Sequence, residues 1–100
     1  MQLTSKEQEL LSTYQNWLKK NNLNGNCNAY FIFKTSMLVF QVWEFERLIS
    51  ETIWLKTDKQ DWKFYIKNLG DKFNKTFLLE DILKIEKDFV LETFKEKANL

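Results

Sequence analysis

The residues whose type and spacing come closest to a reactive pair are two carboxylates, Glu44 and Glu46. On a strand, residues two apart project from one face at a separation of about 7 Å, which lies within the range of paired catalytic carboxylates. With Glu51 as a third acid, such a pair could bind Mg²⁺ or support hydrolysis. Spacing of this kind is common, and the sequence favours a solvated strand end instead.

The sequence lacks the residues and motifs that other kinds of catalytic chemistry require. The chain has no histidine, which excludes nucleophiles that depend on a Ser-His or Cys-His pair. Its single cysteine, Cys27, lies between two asparagines, and no sequence neighbour would stabilise a thiolate. The sequence contains no zinc, calcium or phosphate-loop motif. We therefore expect a protein that is not an enzyme and that needs no cofactor.

A lysine-rich segment supports a second hypothesis. Residues 56–75 carry six Lys against three Asp, and Lys63, Tyr65 and Lys67 interleave bases with an aromatic ring, as single-strand nucleic-acid binders do. Edge strands also use lysine to prevent aggregation, and the whole chain has a net charge of only +1. Nucleic-acid binding through the Lys56–Lys75 face is therefore the alternative function.

Aromatic residues point to protein binding. The chain has four Trp among 100 residues, and Trp and Tyr are enriched at the energetic centres of protein interfaces. Trp17 and Trp62 already fit apolar patterns, so the exposed candidates are Trp43, Trp54 and Tyr65. The predicted partner-binding residues are Trp43, Trp54, Lys63, Tyr65 and Lys67.

The elements that must position these residues begin with a helix. Thr4 and Glu7 form a capping-box pattern, and the apolar residues that follow recur every three or four positions through Leu18. The asparagine-rich stretch from Asn21 to Asn26 ends the pattern, because Asn and Gly tolerate the backbone conformations that terminate helices.

Strands follow the helix. Tyr30 to Lys34 and Leu38 to Phe45 are predicted to form a hairpin about Thr35 and Ser36, and the second of these strands, apolar on both faces, is predicted to be central. Residues 45–56 fit both a helix and a strand. Their β-branched residues favour the strand.

The segment from Asp61 to Lys67 alternates clearly between apolar and polar residues. It predicts a strand with Trp62, Phe64 and Ile66 inward and with Lys63, Tyr65 and Lys67 outward. A loop over residues 68–75 should lead to a C-terminal helix that is capped by Thr76 and ends at about Lys97, with a break near Asp88 as an alternative. An α+β domain over residues 1–100 results, with an N-terminal amphipathic helix, an antiparallel sheet of three to four strands and a C-terminal helix packed on the sheet.

Composition sets the remaining expectations. One cysteine indicates a reducing compartment, no segment has the roughly 20 apolar residues that span a bilayer, and the start of the chain lacks the pattern of a secretory signal. We expect a cytoplasmic protein that binds another protein, such as a toxin or a defence enzyme, and inhibits it by steric blocking, as an immunity protein, an antitoxin or a phage-encoded inhibitor does. A homodimer formed through an edge strand remains compatible with the sequence.

Overall fold

The fold is given by a computed structural model, which describes residues 2–66 and 76–97. Its elements in chain order are α1 (Ser5–Lys20), β1 (Cys27–Ile32), β2 (Met37–Glu44), β3 (Arg47–Lys56), β4 (Trp62–Ile66) and α2 (Leu79–Lys97). The four strands form one antiparallel sheet in the order β1-β2-β3-β4. The predicted α+β class is confirmed, and β2 is a central strand as expected.

Helix α1 begins where the capping box predicts. The Thr4 hydroxyl accepts a hydrogen bond from the Glu7 amide at 3.2 Å, and the Glu7 carboxylate accepts one from the Thr4 amide at 2.9 Å. Two otherwise unpaired amides at the helix start are thereby satisfied. Leu11, Tyr14 and Leu18 face the sheet, so the amphipathic pattern orients the helix.

The β2–β3 connection settles the ambiguity over residues 45–56. Glu44 pairs with Arg47, which leaves Phe45 and Glu46 as a two-residue turn, and β3 then runs for ten residues. Two bulges interrupt the sheet. The register shifts by one residue at Ile49 in β3 and at Tyr65 in β4. Strand was therefore the correct interpretation, although the predicted end of β2 at Phe45 is one residue too long.

Helix α2 begins at Leu79 rather than directly after Thr76, the predicted cap. The backbone of Phe77 exchanges hydrogen bonds with that of Trp62, at 2.9 and 3.1 Å. This pairing keeps the chain extended for two residues beyond Thr76. The helix continues through Asp88 without a break. The predicted loop over residues 68–75 lies outside the described residues.

Both helices pack on the same side of the sheet and enclose the apolar core. The residues of β1, β2 and β3 that contact them alternate with residues facing the other way, so the domain has two layers. Leu38, Phe40 and Trp54 lie at the centre of this core. Within residues 2–66 and 76–97, neither helix combines the length and the apolar character that crossing a membrane requires.

Candidate protein-binding surface

The face of the sheet that points away from the helices is covered by no described element. We call it the open face. Its residues alternate with those of the core, and across the four strands they are Asn28, Tyr30, Ile32, Met37, Val39, Gln41, Trp43, Leu48, Glu51, Ile53, Leu55, Lys63 and Tyr65. An antiparallel sheet that presents one face to water normally carries polar residues there, so the apolar content of this face is unusual.

The apolar part of the open face is built from cross-strand rows. Tyr30, Val39 and Ile53 are register partners, and Ile32, Met37 and Leu55 form the next row. Val39 is only 2% exposed, and it lies between Tyr30 and Ile53 on the two flanking strands. Tyr30 and Ile32 are exposed at the β1 edge. The rows form a shallow apolar surface that is already packed.

A polar row crosses the same face and is held together by Gln41. Its side-chain amide donates to the Glu51 carboxylate at 2.6 Å, and its carbonyl accepts from the Trp43 indole at 3.2 Å and from the Asn28 amide at 3.5 Å. Four side chains from three strands therefore share one hydrogen-bond network. The hydrogen bond from its indole N–H restrains the orientation of the Trp43 ring.

The β4 edge supplies the most exposed ring of the open face. Tyr65 is the additional residue of the β4 bulge and is 58% exposed. Lys63, two residues earlier on the same strand, is also exposed. Bulges re-aim side chains at sheet edges. This geometry confirms that Lys63 and Tyr65 point outward. Predicted residue Lys67 lies outside the described residues.

The β2–β3 turn adds a protruding apolar group at one end of the open face. Phe45 is 93% exposed and has a φ of 56°, a left-handed conformation that bulky residues rarely adopt. Glu46 is the second turn residue and Glu44 ends β2. Glu44 and Glu46 therefore do not project from one strand face, since the chain reverses between them. Glu51, the third acid, hydrogen-bonds to Gln41 instead.

Trp54 was expected at the surface, and the structure shows this to be wrong. It is 0% exposed and lies on the helix side of β3, with its indole N–H donating to the Glu86 carboxylate at 2.8 Å. The Thr52 hydroxyl donates to the same oxygen at 2.6 Å. Burial raises the pKa of Glu86, and these two bonds offset the rise only in part. Trp54 thus joins α2 to the sheet and cannot contact a partner.

Lys56 does not belong to a surface lysine face either. Its side chain is fully buried, and its ammonium pairs with the Glu7 carboxylate and donates to the Gln2 carbonyl at 2.9 Å. The Trp62 indole donates to the other Glu7 oxygen at 2.8 Å. Burial by itself would raise the pKa of Glu7, but the bonds from Lys56, the Thr4 amide and Trp62 outweigh it, and the pKa lies below 4.5.

The described residues offer no alternative centre for metal or thiol chemistry. Across residues 2–66 and 76–97, no three His, Cys, Asp or Glu residues come close enough to hold a metal ion. Cys27 is buried in the core, and burial raises the pKa of its thiol to about 11. The thiol therefore stays protonated at neutral pH and is a poor nucleophile.

The structure thus brings Trp43, Lys63 and Tyr65 onto one face and excludes Trp54. Sequence reasoning missed Tyr30, Val39 and Ile53, which form the middle of that face, and Phe45 at its end. One signal was present for Phe45. The stretch from Glu44 to Arg47 is a polar break between two apolar runs, as Thr35 and Ser36 are.

Comparison of the chain with protein-family models, curated proteins and solved structures finds no match.

Proposed function

We propose that this chain is a non-catalytic protein-binding module that inhibits a larger protein by covering part of its surface. The observation that carries the proposal is the open face, an apolar sheet surface to which three of the four strands contribute a pre-arranged polar row. Exposed apolar patches rimmed by polar groups are characteristic of protein interfaces. The partner would be a toxin that this chain neutralises as an immunity protein or antitoxin does, or a defence enzyme that it blocks as a phage-encoded inhibitor does.

The composition of the open face defines the chemistry of the partner surface. Its centre, around Val39 and Ile53, requires an apolar patch. Glu51 in the polar row favours a basic group opposite it, and Lys63 at the β4 edge favours an acidic group. Opposed charges at separate positions fix the orientation of docking more than they add affinity. Tyr30, Tyr65 and Trp43 are the anchors, because aromatic residues dominate the energy of such contacts.

A protein partner explains the open face better than a nucleic acid does. Surfaces that bind nucleic acid gain most of their affinity from phosphate contacts with Lys and Arg. On the open face, Lys63 is the one basic residue among those described, and Glu51 on the same face carries the opposite charge. The burial of Lys56 further reduces the lysine face. Because Tyr65 lies near Lys63 on the same strand, nucleic-acid binding is the alternative that the experiment must distinguish from protein binding.

Affinity purification tests the proposal. The tagged chain is recovered from the cells that encode it at low and then at high salt, with and without nuclease, and retained material is identified by mass spectrometry. We expect one stoichiometric protein partner that survives both treatments, because apolar burial is insensitive to salt whereas phosphate contacts weaken steeply. Nucleic acid released by salt without a protein partner would contradict the proposal, and so would a stable homodimer as the sole species.

A further inference from the structure

A glutamate of α2 is buried against the sheet with no positive charge to neutralise it. Glu86 is 1% exposed. Its Oε1 oxygen accepts from the Trp54 indole at 2.8 Å and from the Thr52 hydroxyl at 2.6 Å, and both donors are neutral. Within residues 2–66 and 76–97, no Lys or Arg forms an ion pair with this carboxyl group. An ionised Glu86 therefore keeps most of the free-energy cost of leaving water.

The groups that the other elements bring near Glu86 supply no positive charge either. Helix α1 contributes Tyr14, whose hydroxyl is buried and meets no hydrogen-bond partner in the described part of the chain. Its pKa is raised by burial and, to a lesser extent, by the negative charges of Glu86 and Cys27, which places Tyr14 close to both. The inward residues of β2 are apolar, among them Leu38 and Phe40. The site therefore suits an uncharged carboxyl group.

The bases closest to Glu86 along α2 and on β3 are engaged elsewhere. Lys87, the next residue of α2, is exposed and lies over the Trp17 ring, with its nitrogen 4.9 Å from the ring centroid. On β3, the inward base is Lys56, and its ammonium pairs with Glu7. The two helices therefore differ in what holds them to the sheet. Glu7 of α1 accepts from a charged donor, whereas Glu86 of α2 accepts from neutral ones.

We infer that α2 is a pH-responsive element, docked on the sheet by the uncharged Glu86 carboxyl group and released from the sheet when this group ionises. The proton leaves to solvent, and the resulting carboxylate recovers its hydration only when α2 moves away from Trp54 and Thr52. Helix α1 responds in the opposite sense, because Glu7 pairs with Lys56 only in its ionised form. A rise in pH therefore loosens α2 while α1 stays attached.

The direction of the pH effect follows from the environment of Glu86. Burial raises its pKa above the ordinary value of 4.5, and the hydrogen bonds from Thr52 and Trp54 offset the rise only in part. A group whose pKa is raised by folding stabilises the docked state fully below its unfolded value of 4.5. That contribution is lost as the pH rises through the folded value. Docking of α2 should therefore weaken progressively above pH 4.5.

Amide hydrogen exchange, measured by mass spectrometry on wild type and Glu86→Gln at equal pH, tests the release of α2. Gln keeps an oxygen that accepts from Trp54 and Thr52 but cannot ionise. We expect the ratio of α2 exchange rates, wild type over variant, to rise above pH 4.5 by up to about tenfold per pH unit. Exchange in α1 should be equal in the two proteins. Glu92→Gln alters an exposed carboxylate of the same helix and, as the matched control, should follow wild type.

A titration of the wild-type chain gives a second measurement that needs no folded variant. The carboxyl carbon of Glu86 is followed by carbon NMR, and we expect its transition above pH 4.5. A transition at or below that value, or a ratio of exchange rates that does not change with pH, would overturn the inference. Equal acceleration of exchange in α1 and α2 would show that the whole domain opens, and that outcome contradicts the selective release of α2.

Discussion

Replacing Glu7 with alanine is expected to lower the free energy of unfolding by about 3 to 5 kcal/mol, the loss that follows when one partner of a buried ion pair is removed. The Lys56 side chain has no exposed surface. Without Glu7, its ammonium keeps the Gln2 carbonyl and the face of the Trp62 ring, 5.8 Å from the ring centroid. The Trp62 indole and the Thr4 amide each lose an acceptor as well. Urea unfolding measures the change.

Two controls separate the ion pair from a general effect on α1. Glu9→Ala removes an exposed carboxylate from the same helix and should change stability by no more than about 0.5 kcal/mol. Adding Lys56→Met to Glu7→Ala should restore part of the loss, because the unpaired buried charge is then gone. Equal effects of Glu7→Ala and Glu9→Ala would show that the buried pair does not stabilise the fold.

The pH dependence of the Glu7 effect has a definite sign. The pKa of Glu7 is lower in the folded chain than its ordinary value of 4.5. Its contribution to stability is therefore fully present above 4.5 and is lost as the pH falls through the folded value. The difference in stability between wild type and Glu7→Ala should be largest at neutral pH and should shrink in acid.

The largest expected effect on binding comes from the two exposed tyrosines of the open face. Replacing Tyr30 and Tyr65 together with alanine should weaken binding to the captured partner by about 30-fold or more, since one interface anchor alone contributes about 2 kcal/mol. The free energy of unfolding should change little, because both rings lie at sheet edges and outside the core. Isothermal titration calorimetry and urea unfolding provide the two measurements.

Leu78→Ala is the matched control for these tyrosines. Leu78 has the same exposure as Tyr65, 58%, but it lies beside Thr4, Lys6 and Leu10 in the helix layer. Losing apolar surface there should leave affinity unchanged. If the double tyrosine variant and Leu78→Ala bind equally well, the open face is not the docking surface.

The sequence predicted the elements well because their signals are local. The capping box of α1 involves residues three apart, and the alternation in β4 is contained in five residues. Both features depend on short-range geometry. The start of α2 depended instead on a backbone pairing between Phe77 and Trp62, fifteen residues apart. A long-range pairing of this kind leaves no local pattern, and the predicted start directly after Thr76 was wrong for that reason.

The burial of Trp54 could not be predicted, because its neighbours on the same side of β3 are polar. Ile53 and Leu55 lie on one side and Trp54 on the other, flanked by the polar residues Thr52 and Lys56. Polar neighbours made the Trp54 side resemble a solvated face. Their partners, Glu86 and Glu7, come from helices that are 34 and 49 residues distant in sequence. Only the tertiary structure reveals that these polar groups are satisfied inside the domain.

The arrangement of the strands explains which of the predicted site residues share a face. Trp43, Lys63 and Tyr65 were identified by residue type, and their strands do place them on one face. The sequence predicted Tyr30 in a strand but assigned it no function, because the face on which it lies depends on the side of the sheet on which the helices pack. The buried Lys56–Glu7 ion pair joins α1 to the sheet, and the hydrogen bond from Trp54 to Glu86 joins α2 to the same side. Lys56 and Trp54 hold the helices on one side, and none of the described elements packs on the other.

Nitration of the tyrosines with tetranitromethane, followed by mass spectrometry, tests docking through the open face most directly. The chain has three tyrosines, and in the free protein Tyr30 and Tyr65 are exposed while Tyr14 is buried in the core. We predict nitration of Tyr30 and Tyr65 in the free chain, protection of both in the complex with the captured partner, and an unreactive Tyr14 throughout. Equal nitration of Tyr30 and Tyr65 in the free and bound chain would contradict it.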